Sequence, residues 1–178
     1  MNRAVFLDRD GVINECQTDR VRHVNHPHQL FLFPGVPEAI KALNDAGYLV
    51  FVVTNQGGIG FGFMKEASLH AIHERMTKLL LEKGAILTDI AYCPHRPKAG
   101  CECRKPKPGM LKRLAEKHAI DMSASIMVGD RDTDIMAGRA AGCKTVRIGA
   151  PDLDADHSAP SLAEAVPWLL GQLVRCQP

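Results

Sequence analysis

The chain has 178 residues, 46% of them hydrophobic and 24% charged, which fits a single globular domain over 1–178 with a real core and excludes a disordered chain. A formal net charge of +2 and 5% aromatic residues give little to hold a polyanion or to stack single-stranded bases. No apolar run approaches the ~20 residues that span a bilayer, and the first residues lack the long apolar stretch and small-residue cleavage site of a signal peptide. The expectation is a cytoplasmic monomer with neither nucleic acid nor membrane as partner.

In chain order, residues 4–7 form a short apolar run that stops at Asp8, a buried strand with polar residues at its carboxyl end. Pro34-Gly35-Val36-Pro37 opens a helix carrying Ile40 and Leu43 at helical spacing, and Gly47 closes it. Residues 48–53 are apolar and β-branched, a second strand ending at Thr54-Asn55-Gln56. Over 65–83, Leu69, Ile72, Met76, Leu79 and Leu80 recur at helical spacing and predict an amphipathic helix. A third strand is expected at 89–92, a helix at 109–118, a fourth strand at 125–128, a helix at 133–141 and a fifth strand at 144–148. Beyond Pro151 the pattern reads as a polar linker, followed by a terminal helix with Leu162, Val166, Leu169, Leu170 and Leu173.

Strands alternating with helices imply a Rossmann-like α/β fold, a parallel sheet with helices on both faces. Ligands of such sheets bind beyond the carboxyl ends of the strands. Asp8, Thr54, Cys93 and Asp130 each lie at or just past the end of a different expected strand, so the fold brings them to one edge.

Asp8 and Asp10 stand two apart after the first strand, and Gly11 lets the chain turn there. Phosphoryl transfer needs an in-line nucleophile and a proton donor for the leaving oxygen, and two carboxylates in unequal environments can divide those tasks. The same spacing also suits a solvated loop whose aspartate caps a turn.

Of the six cysteines, Cys93, Cys101 and Cys103 crowd into one loop, while Cys16, Cys143 and Cys176 are scattered and read as plain thiols. With His95 the loop 93–103 offers a closed Cys₃His set, the type that holds structural Zn²⁺, and clustering in a non-secreted chain favours a metal over disulfides. Arg104, Lys105 and Lys107 follow directly. A lysine aimed at a phosphoryl group stabilises charge as its bond breaks, and an arginine suits bidentate contact with an oxyanion.

Phe6-Leu7-Asp8-Arg9-Asp10-Gly11-Val12-Ile13 resembles the first motif of the haloacid dehalogenase-like phosphatases. Val52-Val53-Thr54-Asn55-Gln56 is similar to their second motif, and Val128-Gly129-Asp130-Arg131-Asp132-Thr133-Asp134 to their fourth. The resemblance runs from Arg3 to Ile148, with the motifs in family order. It implies that Asp8 is the nucleophile forming an aspartyl-phosphate and that Asp10 protonates the leaving group and then activates water. It further implies that Thr54 donates to the phosphoryl oxygens and that Lys105, with Lys107 as competitor, is the third-motif lysine. Mg²⁺ would be held by the Asp8 side chain, the Asp10 backbone carbonyl and Asp130. Asn55, Gln56, Arg104 and Arg131 are expected to touch substrate. Asp134 is left without a role, since it can equally begin the next helix.

The connections between motifs leave no room for a large cap domain. An open site with a zinc-stapled loop is the pattern of a subgroup containing heptose bisphosphate and histidinol-phosphate phosphatases. Cys-Arg-Lys-Pro-Lys-Pro-Gly-Met is more similar to the former, Gly-Asp-Arg-Asp-Thr-Asp-Ile to the latter, and residues 15–24 match neither closely. The expected substrate is the 7-phosphate of a manno-heptose 1,7-bisphosphate. Histidinol phosphate, a nucleic-acid 3′-phosphate and a non-catalytic zinc-stabilised module are the alternatives.

Overall fold

Alternation of side chains along a parallel strand has to satisfy two covered faces at once, and β1 (Arg3–Leu7) does so with an unbroken apolar run. In the computed structural model, which describes residues 1–174, Val5 and Leu7 point into one buried cluster and Ala4 and Phe6 into another on the opposite face. β2 (Tyr48–Asn55) repeats the pattern, with Val50 and Val52 on one side and Phe51 and Val53 on the other. β3 (Asp89–Cys93), β4 (Ile126–Gly129), β5 (Lys144–Ile148) and β6 (His157–Ala159) complete a six-stranded sheet in the order β3-β2-β1-β4-β5-β6. Every pairing is parallel. Cys176 lies outside the described residues.

α1 (Val36–Asp45), α2 (Glu66–Leu81) and α5 (Leu162–Val174) supply the larger buried cluster, and α3 (Gly109–His118) and α4 (Asp132–Ala141) cover the other face. The approach of α4 to the sheet depends on Gly138. A Cβ there would lie 2.6 Å from the Met127 Cβ and 2.9 Å from Thr145 Cγ2, so only a residue without a side chain lets the helix settle onto β4 and β5. That seating carries the first turn of α4 to the carboxyl edge of β4.

The expected polar linker after Pro151 is partly a strand. His157–Ala159 pairs with Val146–Ile148 as β6. Three residues with little β propensity leave no periodic signal, and tertiary anchoring makes the strand instead: the Asp156 carboxylate accepts from Thr145 N at 2.7 Å. Between β1 and α1 the chain holds a three-residue 3₁₀ turn, Pro27–Gln29, and no cap domain. No described helix is long and apolar enough to cross a membrane.

Candidate active site

The strand order reverses between β1 and β4, the place where open parallel sheets form a crevice. Asp8 leaves β1 there, with its N–H bonded to Val128 O on β4 at 3.0 Å. Gly11 turns the chain at φ +85°, and any Cβ at that position would collide with the Asp130 carboxylate. A cavity of about 840 Å³ opens at this edge, lined by Asp8, Asp10, Thr54, Lys105, Arg104 and Arg131 among others.

Lys105 is the centre of the arrangement. Its Nζ lies 2.9 Å from Asp8 Oδ1, 2.7 Å from Asp134 Oδ1 and 2.7 Å from Val53 O, and the residue is only 3% exposed. Burial disfavours its charge, but Asp8 and Asp134 outweigh that and raise the lysine above its ordinary value. Lys107 is exposed and turns back onto its own loop, bonding Cys101 O and Glu102. The geometry therefore separates the two candidate lysines. Asp134, left without a role on sequence grounds, does two things: one oxygen pairs with Lys105 and the other accepts from Arg131 N at 3.1 Å at the start of α4. Its ordinary appearance as a helix-opening acid hid the first.

Asp8, Asp130 and Asp134 each present a carboxylate oxygen, all within 4.8 Å of one another. Burial raises Asp8 well above the usual carboxylate range; Lys105 opposes this and the neighbouring aspartates reinforce it. Burial and Asp134 raise Asp130 as well. Asp130 Oδ1 is buried with no hydrogen-bond partner. An orphaned carboxylate oxygen beside two others is a donor set that suits a hard, oxygen-preferring cation such as Mg²⁺.

Asp10 is held apart from this group. Its Oδ1 accepts from Arg9 Nε at 3.2 Å, Arg9 Nη2 at 2.8 Å and Asn14 Nδ2 at 3.0 Å, while Oδ2 receives only Gln56 Nε2 at 3.2 Å. Burial pushes the carboxyl up, but the Arg9 charge and these hydrogen bonds prevail and hold it below its ordinary value. Arg9 is fully buried, and its remaining arm, Nη1, lies 3.1 Å from His73 Nε2 on α2. Neither Arg9 nor His73 stood out in sequence, though a histidine inside the apolar stripe of Leu69, Ile72 and Met76 was the available signal.

The two amides after Thr54 are committed to the protein. Asn55 clasps the Lys105 backbone from both ends, accepting from its N–H at 3.0 Å and donating to its carbonyl at 3.1 Å. Gln56 Nε2 donates to Thr54 Oγ1 at 2.9 Å, which leaves the threonine hydroxyl hydrogen free to point elsewhere.

In the loop after β3, Cys93 Sγ lies 3.1 Å from Cys103 Sγ, 3.7 Å from Cys101 Sγ and 3.4 Å from His95 Nδ1. His95 Nδ1 is 3.2 Å from Cys103 Sγ. A tetrahedron with metal–sulfur bonds of about 2.3 Å has edges of about 3.7 Å, so the four atoms are gathered on the scale that zinc requires. Arg104 Nη1 donates to His95 O at 3.0 Å, tying the guanidinium at the cavity wall to the loop.

A family model described as HAD-hyrolase-like matches residues 102–165. The D-glycero-beta-D-manno-heptose-1,7-bisphosphate 7-phosphatase of Pseudomonas aeruginosa is 42% identical over 83% of this chain and 82% of its own length. The D-glycero-D-manno-heptose-1,7-bisphosphate 7-phosphatase of Thermosynechococcus vestitus is 37% identical over 96% of each chain. Among solved structures, the D,D-heptose 1,7-bisphosphate phosphatase of Bordetella bronchiseptica, crystallised with magnesium and phosphate, superposes with a TM-score of 0.86 at 32% identity, covering 96% of this chain and 99% of that one.

The crowded carboxylates give a stability prediction. A carboxyl whose folded pKa is raised stabilises the fold at low pH, and that contribution is lost as pH rises through the raised value. In chelator at pH 8, Asp130→Asn is therefore expected to be more stable than the parent by denaturant titration. The gain should shrink as pH falls through the raised titration of Asp130. A parent protein that is the more stable one at every pH would refute this account of the cluster.

Proposed function

Because the chain belongs to the heptose-1,7-bisphosphate 7-phosphatase family of haloacid dehalogenase-like phosphatases, we propose that it hydrolyses the 7-phosphate of D-glycero-D-manno-heptose 1,7-bisphosphate. The observation that carries the reading is the convergence of Asp8, Lys105 and Asp134 on one cavity, with Asp130 grouped against the two aspartates and Asp10 held separately. We assign Asp8 as nucleophile: its oxygen forms a bond to phosphorus as the bond from phosphorus to the sugar O7 breaks. Asp10 gives its proton to O7, then takes one from the water that displaces the phosphate from Asp8. Its Oδ2, bound by a single long hydrogen bond, is the oxygen available for that traffic. In the empty site Asp10 is held ionised; an entering phosphate ester brings negative charge beside it and raises the carboxyl toward the acid form.

Thr54, whose Oγ1 already accepts from Gln56, donates its free hydrogen to a phosphoryl oxygen. Lys105 supplies positive charge where the phosphoryl group transfers. Asn55 and Gln56 border the substrate, but act chiefly by fixing Lys105 and Thr54. Arg104 and Arg131 take the sugar's polar groups and second phosphate. Asp8, Asp130 and the Asp10 backbone carbonyl would hold Mg²⁺, with Asp134 adjoining. When bound, the cation supplies Lewis-acid charge neutralisation to a site otherwise crowded with carboxylates. Cys93, His95, Cys101 and Cys103 would hold a structural Zn²⁺ with no open position. The protein is proposed to work in the cytoplasm, in heptose metabolism.

The substrate assignment is tested by kcat/KM for both anomers of the heptose bisphosphate against histidinol phosphate. The bisphosphate is expected to lead by at least about tenfold, on the order of 1.4 kcal/mol of transition-state discrimination; equal values would remove the assignment.

For the loop, metal analysis of the purified protein is expected to find about one equivalent of zinc. Cys101→Ser should lose it and raise KM for the bisphosphate, since Arg104 is bonded to the same loop. Retained zinc with unchanged KM would count against the site.

Asp8→Asn is expected to abolish turnover. Asp10→Asn should lower sugar-ester turnover by on the order of 10²-fold, and lower the first turnover of nitrophenyl phosphate far less, because nitrophenolate leaves without a proton. A burst of nitrophenol followed by a slow steady rate is the expected trace. Equal losses on both esters without a burst would assign Asp10 to shaping the metal site alone.

A further inference from the structure

Behind the catalytic aspartates runs a line of buried polar groups that the phosphoryl chemistry does not touch. Arg9 is 0% exposed although it lies between Asp8 and Asp10 in sequence. Its carbonyl accepts from the N–H groups of Val12, Ile13 and Asn14, which fixes its backbone. Two arms of its guanidinium, Nε and Nη2, meet at Asp10 Oδ1, and the third, Nη1, faces His73 Nε2 at 3.1 Å. His73 is 6% exposed and sits on α2, against the ring of Tyr92 at 6.3 Å between centroids.

Charge and donor counting make this contact directional. A guanidinium has only N–H donors, so an imidazole facing it must present its unprotonated nitrogen. His73 Nε2 is therefore the acceptor, and the ring proton sits on Nδ1. The imidazole is kept neutral to match, since burial and then the Arg9 charge push His73 down to about 3. A buried cationic N–H without an acceptor is strongly unfavourable. If His73 offered none, Arg9 would have to turn, and the planar fork on Asp10 Oδ1 would open with it, because the three nitrogens of a guanidinium move as one rigid body.

We propose that His73 is a positioning residue for this reaction: by accepting the third arm of Arg9 it locks the guanidinium that clamps Asp10 Oδ1, so that Oδ2 alone faces the leaving oxygen. His73 touches neither substrate nor cation. The inference rests on Asp10 as the acid and base of the proposed mechanism, and it adds an element, α2, that carries none of the groups doing the chemistry. It also explains why a polar ring occupies the apolar face of α2 between Leu69, Ile72 and Met76, all fully buried.

Two variants and one wild-type measurement test it. His73→Leu removes the acceptor while keeping an apolar body. It is expected to lower kcat on the heptose bisphosphate about tenfold or more with KM within about twofold, and to leave the first turnover of nitrophenyl phosphate within about twofold. His73→Gln restores an acceptor near the Nε2 position and should recover kcat to within about threefold of the parent. A simple loss of packing would depress both esters together and would not distinguish leucine from glutamine. In the wild-type protein, ¹⁵N histidine spectra should show His73 with a proton on Nδ1 and none on Nε2 at pH 7, unchanged at pH 5, whatever the variants do. A proton on Nε2, equal loss on the two esters, or a glutamine variant as slow as the leucine one would each overturn the proposal. Asp10→Asn run alongside separates the two readings. If it discriminates between the esters and His73→Leu does not, His73 is not a positioning residue. If Asp10→Asn itself fails to discriminate, the acid role of Asp10 falls first and this inference with it.

Discussion

One buried ammonium makes the rest of the site possible. Asp8, Asp130 and Asp134 bring three carboxylates to within 4.8 Å of one another, and two like charges about 4 Å apart repel by roughly 4 kcal/mol at an effective dielectric constant near 20. Lys105, equally unfavourable alone in the interior, sits against two of them and a strand carbonyl. Each side of the arrangement would be intolerable without the other. Four segments meet on this one atom: the end of β1 through Asp8, β2 through Val53, the first turn of α4 through Asp134, and the chain leaving the cysteine loop, which carries Lys105 itself. The Asn55 clasp and the Cys₃His cluster are then parts of one device, both fixing where that last segment runs.

Two aspartates separated by a single residue are driven in opposite directions, and the cause is orientation at a strand end. Asp8 still follows the line of β1 and faces the other carboxylates, so burial and like charge raise it. Asp10 lies beyond the turn and faces Arg9, Asn14 and Gln56, which hold it down against the same burial. Unequal environments of this kind let two identical side chains take a nucleophile's part and a proton carrier's part in one cavity.

The strand-and-helix order was readable because each central strand is buried on both faces and so appears as a plain apolar run. The edge where Asp8, Thr54, Cys93 and Asp130 gather followed from parallel-sheet geometry. What stayed hidden was either local or supplied from far away. β6 is three residues of His-Ser-Ala held by Asp156 and its pairing to β5, and nothing in that tripeptide announces a strand. Asp134 looked like any acid opening a helix, because its second oxygen meets Lys105 only in the folded chain. Arg9 sat in plain view inside the first motif, yet its importance depends on His73, 64 positions away. Asn55 and Gln56, expected at the substrate, do line the cavity, and what the sequence left unseen is that both amides are also bonded to their neighbours there.

The saturation of Lys105 bears on how charge moves during the reaction. An ammonium has three N–H donors, and Asp8, Asp134 and Val53 account for three acceptors. A phosphoryl oxygen entering the cavity therefore finds no idle donor on it. In the proposed mechanism, however, the negative charge of Asp8 leaves with the sugar oxygen that Asp10 protonates, so that the oxygen of the acylated Asp8 becomes a poorer acceptor than the phosphoryl oxygens, which stay anionic. The lysine could then turn one donor from Asp8 to a phosphoryl oxygen with a small rotation, while Asp134 and Val53 keep it in place. An arginine could not substitute, since its planar fork cannot converge on three acceptors around one nitrogen. In that proposed mechanism, the acid that looked like a helix cap would let the lysine release Asp8 without leaving the site.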